Sequence, residues 1–149
     1  MVKKGSLLLS IWCIINFVLA LIILNYVIIL KRNSPILQVA AFSEVEIASL
    51  SAKTMAALNS FTILYNSCSL MISVLIWPLI RRNLLAGEKR AFWLLVGVIG
   101  FIEVMAFLAS SYIGNGRWQV NVVQSVLYLA GIGLSGLSIF KGVKNEFSH

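Results

Sequence analysis

Four long apolar runs, each bounded by basic or turn-forming residues, constrain this 149-residue chain more than any other feature. The first extends from Gly5 to Leu30 and stops at Lys31-Arg32. The second runs from about Thr54 to Ile80 and closes on Arg81-Arg82, the third from Ala91 to Ile113, and the fourth from Trp118 to Phe140 before Lys141. A helix needs roughly 20 apolar residues to cross the hydrocarbon of a bilayer, and each run exceeds that length. Soluble proteins carry about 25% charged residues; here the charged share is 11% against 60% hydrophobic, with a mean hydropathy of +0.95. Too little polar surface exists to coat a water-soluble globule. The expected fold class is therefore all-α: a polytopic membrane protein in which residues 1–149 form a single transmembrane domain, a four-helix antiparallel bundle. Its spans are expected at about 5–30, 54–80, 91–113 and 118–140. The first run is too long for the core of a cleavable signal peptide and lacks a small-x-small cleavage site, so it reads as a signal-anchor helix.

The net charge of +7 raises the question of nucleic acid. The basic residues, however, sit in short clusters at the ends of the apolar runs, where they act as topology signals and as contacts to anionic lipid head groups. No aromatic-basic patch occupies a soluble stretch, so membrane lipids are expected as partners and nucleic acid is not. Eight of the twelve Lys and Arg fall on one side of the expected spans: Lys3, Lys4, Arg81, Arg82, Lys89, Arg90, Lys141 and Lys144. Lys31, Arg32, Lys53 and Arg117 fall on the other. By the positive-inside bias both termini are expected in the cytoplasm. Trp77, Trp93 and Trp118 near span ends suit an interfacial aromatic belt, while Trp12 fits it less well. Cys13 and Cys68 lie inside apolar runs, which makes a disulfide framework improbable. Asn33-Ser34-Pro35 and Asn59-Ser60-Phe61 lack the hydroxyl that a glycosylation sequon requires. These features point to a bacterial inner membrane.

The connections are uneven. A tight turn around Ala86-Gly87-Glu88 and a short Gly114-Asn-Gly116 turn predict that the second, third and fourth runs pack as consecutive neighbours. The segment 31–53, on the outer face, is longer. Within it Ser43-Glu-Val-Glu46 is a capping box, in which a Ser side chain and a Glu three residues later satisfy each other's backbone N–H groups. A short helix from Glu44 to Leu50 follows from it. The apolar residues around it suit a segment lying on the membrane surface or covering the bundle end.

The residue with the most chemical content is Glu103. It is the one acid inside any of the four runs, and a charged side chain at mid-membrane costs on the order of 3 kcal/mol or more unless protonated, paired or wetted. With a helical rise of roughly 1.5 Å per residue, Glu103 sits about 18 Å from the cytoplasmic end of its span, Asn16 about 15, Asn66 about 21, Tyr128 about 18 and Gln124 about 24. Asn59, Thr62, Asn66, Ser69 and Ser73 recur at spacings of three and four along the second run. Asn121, Gln124, Tyr128, Gly131, Ser135 and Ser138 make a similar stripe along the fourth. Polar stripes avoid lipid, because their groups go unsatisfied there. A polar interior centred on Glu103 and lined by Asn66, Gln124, Tyr128 and Asn16 is the expected ligand-binding site.

Two readings compete for that interior. As glue, such groups join helices at about 0.6 kcal/mol each. That suits Ser, Thr and Asn but leaves Glu103 unexplained, since a glutamine would join helices without the risk of ionisation. As a site, Glu103 binds or moves a small lipid-like, cationic or protonated ligand. The alternative function is an accessory, regulatory or immunity-type subunit whose seams meet a larger membrane-protein partner. A homodimer through the glycine faces of the third or fourth run is also open. An enzyme is not expected: the chain has no Asp, its single histidine is His149, and no nucleophile or second acid accompanies Glu103. The same lack of His and Cys clusters argues against a metal or haem cofactor. Gly131-Ile-Gly133-Leu-Ser-Gly136 fits a dinucleotide-binding pattern by letter only, since no strand precedes it. It reads as helix packing, as does Gly97-Val-Ile-Gly100.

Overall fold

The computed structural model describes the backbone of residues 1–40, 42–113 and 118–146, and side chains within 1–40, 42–111 and 121–140. The expected Gly114-Asn-Gly116 turn and the side chains of Arg117, Trp118, Lys141, Lys144 and His149 lie outside the described residues. The described chain is helical without strands. It comprises α1 (Val2–Leu24), α2 (Ile36–Val39), α3 (Glu44–Ser49), α4 (Ala52–Pro78), α5 (Lys89–Ile113) and α6 (Trp118–Glu146). Two wider, π-helical stretches, Asn25–Ile29 and Leu79–Leu84, continue α1 and α4. Four of the resulting helical segments are long and apolar enough to cross a membrane: Val2–Ile29, Ala52–Leu84, Lys89–Ser111 and Asn121–Phe140.

The helix ends follow from local chemistry. Lys31 adopts a left-handed backbone (φ 48°), which lets the Arg32 N–H return to the Tyr26 carbonyl at 3.1 Å and closes the first helical segment as a glycine would. The capping box forms as expected: the Ser43 N–H donates to Glu46 Oε2 at 2.8 Å, and the Glu46 N–H donates to Ser43 Oγ at 3.3 Å. The backbone N–H of Ser43, and then its hydroxyl, hold the Glu46 carboxyl below its ordinary range. Ser51 caps α4 by accepting the Thr54 N–H at 3.1 Å. Pro78 stands where α4 passes into its π-helical stretch; lacking an N–H, it cannot continue the regular ladder. Gly87 takes φ 78° in the turn before α5, a conformation that side chains resist.

In packing, α1 is the central helix. It lies most extensively against α6 and next against α4, while α5 lies against α6 and reaches the α4 side through Leu79–Leu84. The expected neighbourhood of the third and fourth runs therefore holds, but α4 and α5 do not pair along their length, because α1 takes the place beside α4. The cause is the close crossing of α1 and α6. A Cβ on Gly5 would stand 2.5 Å from the Gly131 carbonyl and 2.8 Å from the Ser135 nitrogen, and one on Gly131 would stand 2.7 Å from Leu9 Cγ. Only glycine lets the two backbones meet there. Gly136 and Gly100 also serve packing, against Phe92 and Tyr128, whereas Gly97 and Gly133 face open space.

The exterior is apolar: Ile22, Phe61, Trp93, Phe101 and Leu129 are all exposed, while Ser6, Ser10, Asn66, Ser73, Glu103 and Ser135 are buried. Soluble proteins distribute these types the other way. The segment after α1 is pinned to α4: the Ser34 N–H donates to Asn59 Oδ1 at 2.8 Å, the Ser34 and Thr62 hydroxyls are hydrogen-bonded at 2.5 Å, and Leu37 is buried.

Candidate functional site

On α5, Phe92, Leu95, Ile99 and Glu103 recur at spacings of three and four and are all buried. Glu103 thus occupies the next core position of an apolar stripe. On α1, Leu9, Trp12, Cys13 and Ala20 form the buried face, and Trp12 directs its indole N–H to Glu103 Oε1 at 2.7 Å. From α6, Ser125 donates its hydroxyl to Oε2. Each carboxyl oxygen therefore takes one donor from a different helix, and the acid is the junction of α1, α5 and α6. Its side chain is 5% exposed.

The other expected site residues divide. Asn16 and Gln124 meet each other just beside the junction: Gln124 Nε2 donates to Asn16 Oδ1 at 3.5 Å, while the Asn16 amide nitrogen is spent on the Trp12 carbonyl at 2.9 Å. Tyr128 is buried but donates to the Val96 carbonyl at 2.9 Å, passing over Gly100. It ties α6 to α5 rather than lining the acid. Asn66 is buried and donates to the Thr62 carbonyl of its own helix at 2.8 Å, with no hydrogen bond to Glu103. Lower on the same seam, the Ser73 hydroxyl donates to the Ser69 carbonyl at 2.9 Å. Above the junction, Asn121 Nδ2 donates to Ser110 Oγ at 2.5 Å and to the Ala106 carbonyl at 3.2 Å.

Trp12 and Ser125 are the partners that the sequence reading missed. Trp12 fits the interfacial belt poorly, but its position alone does not show that its N–H crosses to another helix. Ser125 lies on the heptad 121, 125, 128, 132, 135 and 139, which alternates four and three and was as readable as the stripe through Gln124 and Ser138.

A small cavity of about 80 Å³ borders this junction. It is lined by Trp12 and Asn16 from α1, by Ile102 from α5, and by Tyr65, Cys68 and Ser69 among others from α4. Trp12 therefore forms part of the cavity wall and, through its N–H, a bond to the buried acid. At roughly 30 Å³ per water in the liquid, the space suits a few waters or a small ion and is far below the roughly 300 Å³ at which pockets for organic ligands begin. Among the described residues, no group of three or more His, Cys, Asp or Glu comes together as a metal site. No family model, curated protein or solved structure matches the chain.

Proposed function

We propose that this chain is an integral protein of a bacterial inner membrane, an antiparallel four-helix bundle with both termini in the cytoplasm, in which Glu103 forms an intramembrane site for a proton or small cation. The apolar exterior and the basic clusters support the membrane placement. The observation that carries the site is that the Trp12 indole both walls the cavity and donates to the Glu103 carboxyl. Behind that indole lies a carboxyl whose two oxygens each accept one hydrogen bond and have capacity for another, so movement of the indole would open it to a proton or cation in the cavity. The cavity volume selects a proton, a hydrated proton or a small cation over a lipid-like molecule.

The test compares thermal unfolding and tryptophan fluorescence of wild type, Glu103→Gln and Glu103→Leu in detergent, across pH and with added monovalent cations. Glutamine preserves the local bonding, since its carbonyl accepts from Trp12 and its amide donates to Ser125. The expected result is that Glu103→Gln stays within about 1 kcal/mol of wild type in stability but loses any response to pH or cation. A glutamine variant that responds as wild type does would reduce Glu103 to helix-joining glue.

A second reading, an accessory subunit or homodimer, is favoured by Gly97 and Gly133, whose open surroundings leave room for another helix. A stable, monodisperse monomer after purification would count against it.

A further inference from the structure

Away from Glu103, a second cavity of about 290 Å³ lies between α1 and α4, lined by Cys13, Ile14, Phe17, Ser73, Val74 and Trp77. The polar side chains of Cys13 and Ser73 are already committed. The Cys13 thiol donates to the Ser73 carbonyl at 3.0 Å, and the Ser73 hydroxyl is turned back on Ser69. The rest of the lining offers a ligand mainly hydrocarbon and the rings of Phe17 and Trp77, the partners of an acyl chain. One end of the groove is different. The Arg81 guanidinium lies 5.8 Å from the centre of the Trp77 ring, Arg82 follows it in the same π-helical stretch, and both are exposed. Lys3 stands about one turn before Ser6 on α1, and the Ser6 hydroxyl donates to the carbonyl of Ile80, the neighbour of Arg81. Neither lining helix carries an acidic residue.

We propose that this groove holds one acyl chain of an anionic phospholipid, with Arg81 and Arg82 on the head-group phosphate. Charge complementarity argues for the anionic class, because a basic cluster beside a crevice between helices is the usual seat of such head groups. The site rests on the membrane placement proposed above but not on any role for Glu103.

The experiment reconstitutes the full chain into vesicles of phosphatidylcholine containing brominated phosphatidylglycerol or brominated phosphatidylcholine at equal mole fraction. Quenching of Trp77 is read as the difference between wild type and Trp77→Phe. The expected result is a preference for phosphatidylglycerol at Trp77, falling about fivefold for each of Arg81→Gln and Arg82→Gln. Those exposed substitutions leave the core untouched. Ile14→Phe combined with Val74→Phe narrows the groove and is expected to weaken the preference with the arginines intact. Equal quenching by the two lipids at Trp77 would overturn the groove, and so would a preference that narrowing leaves unchanged, since it would place the lipid on the arginines alone. Exposed Trp93 separates this failure from that of the membrane placement. Quenching at Trp93 without preference at Trp77 removes the lipid site only, whereas no quenching at either tryptophan removes both.

Discussion

The two flanks of α1 are built by different rules. On the α6 and α5 side, polar groups reach across between helices: Trp12 and Ser125 to Glu103, Gln124 to Asn16, Tyr128 to Val96 and Asn121 to Ser110. On the α4 side the polar groups along the helix mostly turn back on it, with Ser60, Thr62, Asn66 and Ser73 donating to carbonyls four residues earlier in the same helix. Both cavities lie along this second side. A hydroxyl or amide can satisfy itself on its own helix, but a carboxyl needs donors, and the N–H groups of its helix are already used. A buried mid-helix glutamate therefore forces contacts between helices, while a seam of Ser, Thr and Asn does not.

Substitutions on the two sides put that contrast to the test. The largest effect is expected for Gly5→Leu, which drives a side chain into the backbone of α6 and should destabilise by about 3 kcal/mol in a detergent unfolding assay. An effect below about 1 kcal/mol would mean that the α1–α6 crossing is no closer than the α1–α4 one. Next, Glu103→Leu leaves the Trp12 N–H and the Ser125 hydroxyl without their acceptor and should cost about 2 kcal/mol, with a shift in tryptophan emission. On the α4 side, Ser73→Ala removes a hydroxyl that bonds only its own helix. The Cys13 thiol keeps its carbonyl, so the change should stay within about 0.5 kcal/mol.

The smallest effect belongs to the segment between α1 and α4. Hydrogen bonding to Ser43 lowers the Glu46 carboxyl in the folded state, so its contribution is complete above the ordinary carboxylate range and is lost as pH falls through the lowered folded value. Exchange of the Glu46 amide hydrogen, corrected for intrinsic rates, should accelerate on that descent, and it should not do so in Glu46→Gln. Exchange independent of this substitution would show that α3 is held by packing alone.

Much of this was legible in the residues. The lengths of the apolar runs gave the four long helices, the spacing of Ser43 and Glu46 gave α3, and the depth of Glu103 singled it out. What the residues did not disclose was which helices meet. Loop length suggested that α4 and α5 would pair, yet the decisive quantity was the backbone proximity allowed by Gly5 and Gly131, more than a hundred positions apart. The site was half legible for a related reason. Asn66 and Tyr128 share the depth of Glu103, but depth says nothing about whether a side chain crosses to another helix or returns to its own. Trp12 reaches the acid because of the length of its ring, which equal-depth arithmetic omits.

The central place of α1 has a consequence for how the molecule is made. Its bond to Glu103 spans 91 positions and its contact with Gln124 through Asn16 spans 108. During synthesis α1 emerges early and waits for its main partner, while Glu103 arrives before the serine that will hold its second oxygen. Until α6 is complete, the nascent chain carries an acid with a donor for only one of its oxygens, and an open glycine face. Contacts of such long separation close late, and for that interval the half-made protein is the form most open to proteolysis.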